Sequence, residues 1–317
     1  MKILITGIHG FVGSNLVDYL KKDNEIYGLD IIAPEKNGVI KTFSWEDLEI
    51  PDQVGNDGNV LPQFDAIIHL AGKAHDTKNK SAAEVYFKVN TGLTQKIYDY
   101  FLASDAKKFI FFSTAKAAAD RVEGILTEDV VPTPVGPYGE SKIKAEKYIL
   151  SQELPTGKQF YIFRPCMIHG PGNKGNLNLL YSVVRIGIPW PLGAFENRRT
   201  FTSIENICFA VNGVLTKDVT SGIYNMGDDE ALSTNELIEE ICKSLGKKAH
   251  IWKLPKDLMT GIAKIGGWLH LPLNSDRLQK LTENYVSSNS KIKKALGVDK
   301  MPVDARTGLQ TTLESFK

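Results

Sequence analysis

The chain begins with a junction that few folds can use. Ile3-Leu4-Ile5 is a short apolar run, Gly7-Ile8-His9-Gly10-Phe11-Val12-Gly13 is a glycine-spaced turn, and Leu16, Val17 and Leu20 follow at helical spacing. The alternation then repeats. Ile26 to Leu29, Ala66 to Leu70, Phe109 to Phe112 and Phe160 to Phe163 are strand-like runs, while Val89, Leu93, Ile97 and Phe101 recur every fourth residue and Tyr138 to Leu150 reads as a further helix. Strands that are apolar on both faces and separated by helices imply a parallel sheet covered on both sides. The predicted fold class is therefore α/β, with a doubly wound N-terminal domain.

Past Arg164 the texture changes. Pro165, Gly170, Pro171, Gly172, Gly175, Gly187, Pro189, Pro191 and Gly193 punctuate shorter elements. The reading places a dinucleotide-binding domain at 1–165 and a smaller C-terminal α/β substrate lobe at 166–317, leaving about 201–225 free to return to the first domain. Thr234 to Leu245 and Ser288 to Leu296 read as surface helices, the first started by Ser233-Thr234-Asn235-Glu236. Lys36 to Gln63, with Gly38, Gly55 and Gly58, is too irregular to assign.

Charge narrows the partners. Lys+Arg of 38 against Asp+Glu of 37 leaves a net +1, so no global basic field exists to hold nucleic acid or an anionic membrane. Charge-free runs reach only roughly a dozen residues against the ~20 of a spanning helix, and the N-terminus lacks a signal-peptide pattern. Cys166, Cys208 and Cys242 form no CxxC pair. A cytoplasmic protein without disulfide framework or thiolate zinc site is expected.

The glycine turn, with helix N–H groups behind it, suits a pyrophosphate. Alone it also fits a strand-to-helix turn of an unrelated α/β protein. Asp30, ending the second strand about twenty residues on, is where a carboxylate accepts from a ribose 2′-hydroxyl and repels a 2′-phosphate. The two together favour NAD over NADP. Leu70, Ala71 and Gly72, at a later strand end, would line the cofactor through their backbone.

Tyr138 and Lys142 are four apart at a helix start, so both project on one face. A lysine ammonium there is expected to lower the phenol pKa and let Tyr138 exchange a proton with a substrate hydroxyl. With 11 tyrosines in 317 residues, about one such spacing arises by chance. Position raises it above chance, because Tyr138 follows the strand ending in Ser113-Thr114, and ligands bind at such strand ends. A hydroxyl of Thr114 or Ser113 would bond the same substrate oxygen.

These residues together resemble the extended short-chain dehydrogenase/reductases that act on nucleotide sugars. The resemblance runs through Thr6 to Gly13, Asp30, His69 to Gly72, Val89-Asn90, Ser113-Thr114, Pro137 to Lys142 and Arg164-Pro165. It implies a Rossmann domain, NAD as cofactor, Thr114, Tyr138 and Lys142 as catalytic residues, and Asn90, Ser113 and Pro165 beside the cofactor. It implies substrate contacts at Lys116, Asn176, Arg199 and Arg277, with Arg199 at a diphosphate-binding position. The implied substrate is a nucleotide sugar, UDP the favoured nucleotide, and a homodimer is allowed for.

Where the 4,6-dehydratases of this family carry an Asp-Glu pair, this chain has Ala115 and Lys116; where UDP-galactose 4-epimerases place an asparagine, it has Met167. Pro189 to Phe201 looks closest to reductases of 4-keto-6-deoxy nucleotide sugars, while Asp30 is similar to the NAD-using epimerases. The expectation is a 4-epimerase of a UDP-hexose or UDP-N-acetylhexosamine, the alternatives being such a reductase and a non-catalytic NAD-binding regulator. No metal site is expected, since His69, His75 and His169 lack zinc-ligand spacing. Trp45, Trp190, Trp252 and Trp268 are read as packing residues.

Overall fold

The computed structural model describes residues 1–48, 61–73, 82–173, 175–268 and 273–317; His75, Gly55 and Gly58 lie outside them. In chain order the strands are β1 (Lys2–Thr6), β2 (Glu25–Leu29), β3 (Thr42–Phe43), β4 (Ala66–His69), β5 (Lys108–Phe112), β6 (Ile125–Leu126), β7 (Gln159–Pro165), β8 (Met167–His169), β9 (Phe201–Ser203), β10 (Gly222–Met226) and β11 (Val286–Ser287). Seven form one sheet in the order β10-β7-β5-β4-β1-β2-β3, every pair parallel. The chain runs outward from β1 to β3, then returns to β1's other side with β4. The strand order thus reverses between β1 and β4, and in open parallel sheets ligands bind beyond the carboxyl ends of the strands at such a point.

Alternation along each strand explains why both faces are covered. Ile3, Ile5, Ile68, Ile110 and Phe163 face one way, into a core with Leu16, Val17, Ile207, Val211, Ile292 and Leu296. Leu4, Ile67, Phe109, Phe111 and Ile162 face the other, against Ile97, Tyr98, Phe101, Ala145 and Ile149. Each such buried side chain contributes about 1.5–3 kcal/mol of burial free energy, and side chains of opposite facing come from the period of two.

The sheet takes in more than the apolar runs indicate. β3 is a two-residue edge strand inside the stretch left unassigned, and β10 pairs with β7 after helix Ile204–Thr216 has packed on helix Phe11–Leu20. The helix expected at the surface near Ser288 is Ser290–Leu296, and it is only half a surface helix. Its Ile292 and Leu296, one turn apart, are sealed into the sheet's core, Lys293 is half-buried against Asp229, and Lys291 and Lys294 stay outside. Helix Thr234–Ser244 begins with a capping box in which Ser233 and Glu236 satisfy each other's backbone N–H groups. A second core, including Leu177, Tyr181, Trp190, Phe201, Leu237, Ile241, Met259 and Leu313, organises the remaining lobe. No described helix is long and apolar enough to cross a membrane.

Candidate active site

The turn after β1 is built so that only glycine fits. Gly7 has φ +67°, and a Cβ there would lie 2.9 Å from Ala71 N; at Gly13 a Cβ would lie 2.6 Å from Gly7 O. Gly10, the N-cap of helix Phe11–Leu20, brings no side chain to the helix's first N–H groups, which leaves the amides of Phe11, Val12 and Gly13 at an uncapped helix start where anions bind. His9 Nε2 is buried with no hydrogen-bond partner among the described residues. Asp30 accepts from His9 N at 3.1 Å and Ile31 N at 2.8 Å. Two of its roughly four acceptor positions are thus used, and the others can take ribose hydroxyls. A glycine cradle, an orphaned polar atom and an anchored carboxylate fit a dinucleotide.

Beside the cradle runs a chain of hydrogen bonds with a fixed direction. Thr6 Oγ1 accepts from Leu70 N at 3.2 Å and Ala71 N at 3.0 Å, so its own proton goes to His69 Nδ1, 2.7 Å away. His69 Nε2–H then donates to Thr94 Oγ1 at 2.9 Å, which donates to Asn90 O at 2.6 Å. Burial first, and the Lys142 charge second, hold the imidazole neutral, well below its ordinary pKa. Thr6, its hydroxyl oriented by His69, therefore holds the Leu70 and Ala71 backbone beside the glycine turn.

Helix Pro137–Ser151 starts after Gly136, with Pro137 in its first turn, where the missing N–H costs nothing. Tyr138, Lys142 and Glu146 then share one face at four-residue spacing. Thr114, just beyond the end of β5, hydrogen-bonds Tyr138 and draws its pKa down, but burial outweighs this and the phenol stands above its ordinary value. The Tyr86 ring packs edge-on at 6.4 Å. Lys142 Nζ donates to Phe112 O at 2.8 Å, and burial pulls its pKa down to about 8 against the opposing charge of Glu146. This corrects the expectation that Lys142 depresses the phenol: its ammonium is turned to the strand carbonyl, and Thr114 has the lowering role. Gly72 leaves room for this lysine, since a Cβ there would lie 3.1 Å from Nζ and 3.0 Å from Asn90 Oδ1.

Asn90 sits in a π-helical turn, Phe87–Gly92, between helices Ala83–Tyr86 and Leu93–Ala103. Such turns recur at functional sites because they turn side chains out of α-helical register. Here Asn90 bonds Lys73 N and O at 2.7 and 3.1 Å and Ser141 Oγ at 3.0 Å, while Thr91 donates to Ser141 O at 2.9 Å. The Ser113 hydroxyl is committed to Glu146. Pro165 ends β7, opposite Met226 of β10.

The substrate-side residues divide. Lys116 Nζ bonds Asp120 O at 2.6 Å, lies 4.0 Å from Glu283 and sits over the Tyr285 ring at 4.8 Å. Arg199 donates to Lys280 O and lies among Glu283, Cys166 and Tyr285; burial lowers its pKa and Glu283 opposes this. Both cations thus border one cluster near Thr114. Asn176 and Arg277 stand exposed on two other helices, Asn176–Arg185 and Ser275–Thr282. Sequence reasoning missed Glu146, Cys166, Glu283 and Tyr285. Glu146 had a signal, four residues after Lys142 on the same face; Tyr285 had none, since its place depends on the bond from its hydroxyl to Ala119 O at 2.8 Å, across 166 residues. His169, bonded to Thr312 and facing Asp228, is a structural histidine.

The profile of the NAD dependent epimerase/dehydratase family matches residues 3–227. The UDP-glucose 4-epimerase of Vibrio cholerae is 30% identical over 329 residues, spanning 99% of this chain and 95% of its own. The N-acetyl-alpha-D-glucosaminyl-diphospho-ditrans,octacis-undecaprenol 4-epimerase of Escherichia coli O157:H7 is 28% identical over 92% of this chain and 84% of its own. Among solved structures, MoeE5 in complex with UDP-glucose and NAD superposes with a TM-score of 0.76 at 20% identity, covering 99% of this chain and 98% of its own.

Proposed function

The chain belongs to the NAD dependent epimerase/dehydratase family and is an NAD-dependent enzyme of nucleotide-sugar chemistry; within that family we propose that it is a 4-epimerase of a UDP-hexose or UDP-N-acetylhexosamine. The observation that carries this is the hydroxyl of Thr114 on the Tyr138 phenol, beside buried Lys142 and across the strand ends from the glycine turn. Bound NAD supplies a hydride acceptor at C4, which side chains cannot. Gly7, Gly10 and Gly13 with the helix start would hold its diphosphate, Asp30 its adenosine ribose and Lys142 its other ribose. Tyr138 takes the proton of the C4 hydroxyl and returns it, and Thr114 orients that hydroxyl. Ala115 and Lys116, the latter tied to Asp120, provide no carboxylate pair for loss of water. Two relatives named as 4-epimerases of diphosphate-linked hexoses support the assignment at C4.

The test is incubation with a panel of UDP-sugars, with and without added cofactor, and identification of products by mass and NMR. An epimerase interconverts a C4 pair with no net change in reduced-nicotinamide absorbance. Inertness on all pairs, with NADH or NADPH consumed on a 4-keto-6-deoxy sugar nucleotide, would establish the reductase to which Pro189 to Phe201 is similar.

A further inference from the structure

The whole-chain balance of +1 conceals a local excess. From Leu245 to Trp268 stand Lys247, Lys248, Lys253, Lys256 and Lys264 against one acid, Asp257, an excess of four positive charges. All five lysines are exposed, and none makes an ion pair among the described residues.

Within this segment lies helix Lys256–Trp268, which packs on helix Ser275–Thr282. Met259, Ala263 and Gly266 form its buried stripe. Leu258, Ile262, Ile265 and Trp268 are left outside, 43–81% exposed, and Trp252, four residues before the helix, is 54% exposed. At about 100° per residue, Leu258, Ile262 and Ile265 fall within roughly 60° of one another. Trp268, Asp257 and Lys264 lie about 60°, 80° and 100° beyond Ile265, and Lys256 stands about 120° beyond Ile262 on the other side. A helix on a soluble domain ordinarily shows water a polar face; this one buries one apolar stripe and presents a second.

We propose that this helix is a docking surface for an anionic lipid bilayer, lying in the interface with Leu258, Ile262, Ile265 and Trp268 toward the acyl boundary and the surrounding lysines at the phosphates. Length sets the mode. Thirteen residues make a rod of ~20 Å, against the ~30 Å of a hydrocarbon core, so the helix lies on a membrane and does not span it. Charge sets the occupant: pairing with a second copy would bring two lysine-rich segments together, whereas anionic headgroups neutralise them. Trp252 and Trp268 bracket the helix, and tryptophan is the residue favoured at headgroup depth. The proposal is independent of whether the enzyme epimerises or reduces.

Vesicle flotation of the full chain tests it, with phosphatidylcholine alone and with added phosphatidylglycerol, at low and high salt. The expected result is binding to the anionic vesicles only, with a blue shift of tryptophan emission. Ile262→Asp with Ile265→Asp should weaken binding tenfold or more, and each of Lys253→Gln, Lys256→Gln and Lys264→Gln about fivefold at low salt. All five positions are exposed, so the variants should keep wild-type thermal unfolding and epimerase turnover on a soluble UDP-sugar. No flotation with anionic vesicles overturns the proposal, as does binding undiminished in the double aspartate variant. So does a vesicle-inert protein whose oligomer, in sedimentation velocity, is broken by that variant: the face would then cover a second copy.

Discussion

The guanidinium of Arg164 meets the carboxylate of Glu146 with both side chains shut off from solvent, Nε 3.1 Å from each oxygen and Nη2 2.5 Å from Oε2. Ser113 donates to the same carboxylate. One carboxylate thus ties the end of β5, β7 and the helix that carries Tyr138 and Lys142. A buried pair of this kind adds little over an apolar replacement of the same shape, yet removing one partner strands a charge. Arg164 Nη1 already lacks a hydrogen-bond partner among the described residues.

Glu146→Ala is therefore expected to cost about 3–5 kcal/mol in urea unfolding. Glu146→Gln, which can still accept from Ser113 and Arg164, should lose less. A loss below about 1 kcal/mol for the alanine variant would mean that water reaches the guanidinium and the clamp is dispensable.

Lys142 should work against stability. Its folded pKa is about 8, against 10.5 for an ordinary lysine, because burial disfavours the ammonium. Below pH 8 the group is charged in both states and the cost of burying it stands in full. Between about 8 and 10.5 the unfolded chain binds more protons, so stability rises with pH in that window. Lys142→Met is expected to be more stable than the wild type at pH 7 by roughly 1–3 kcal/mol, with the difference narrowing as pH rises through 8. Denaturant titrations of nucleotide-free protein at several pH values read this directly; a gap constant with pH would contradict it.

What the sequence discloses follows the range of the interaction. The sheet strands with continuous apolar runs and the glycine turn are written in neighbouring residues, and so is the Tyr138 to Lys142 spacing. β3 escapes because two residues carry no period, and β10 because Gly222–Met226 mixes Gly, Tyr and Asn with few aliphatics. The direction of the His69 chain depends on partners 63 and 25 residues away, and the cluster of Lys116, Arg199, Glu283 and Tyr285 joins three separate segments. Lys142 shows the limit at close range: its spacing from Tyr138 is legible, but that its ammonium turns to Phe112 O is not.

Asp30 should set the choice of cofactor. Its carboxylate is anchored by His9 N and Ile31 N with acceptor positions to spare, so ribose hydroxyls are favoured and a 2′-phosphate is repelled. NADH should bind more tightly than NADPH, and Asp30→Ala should narrow the difference from both sides. Isothermal titration gives both affinities; equal values in the wild type would remove the carboxylate's role.

Tyr138→Phe keeps the ring against Tyr86 but deletes the phenol hydroxyl held by Thr114. General acid–base catalysis contributes about 10²–10⁴-fold, so turnover should fall by at least two orders of magnitude with cofactor affinity largely kept. A structural role for Tyr138 would predict the same loss, and pH dependence separates the two. Thr114 donates to the phenol and lowers its pKa against the burial that raises it. Removing that donor must raise the pKa further, so the acid limb of kcat/KM should move to higher pH in Thr114→Val and return toward the wild type in Thr114→Ser. An unshifted limb in Thr114→Val, or near-normal turnover in Tyr138→Phe, would take proton transfer away from Tyr138.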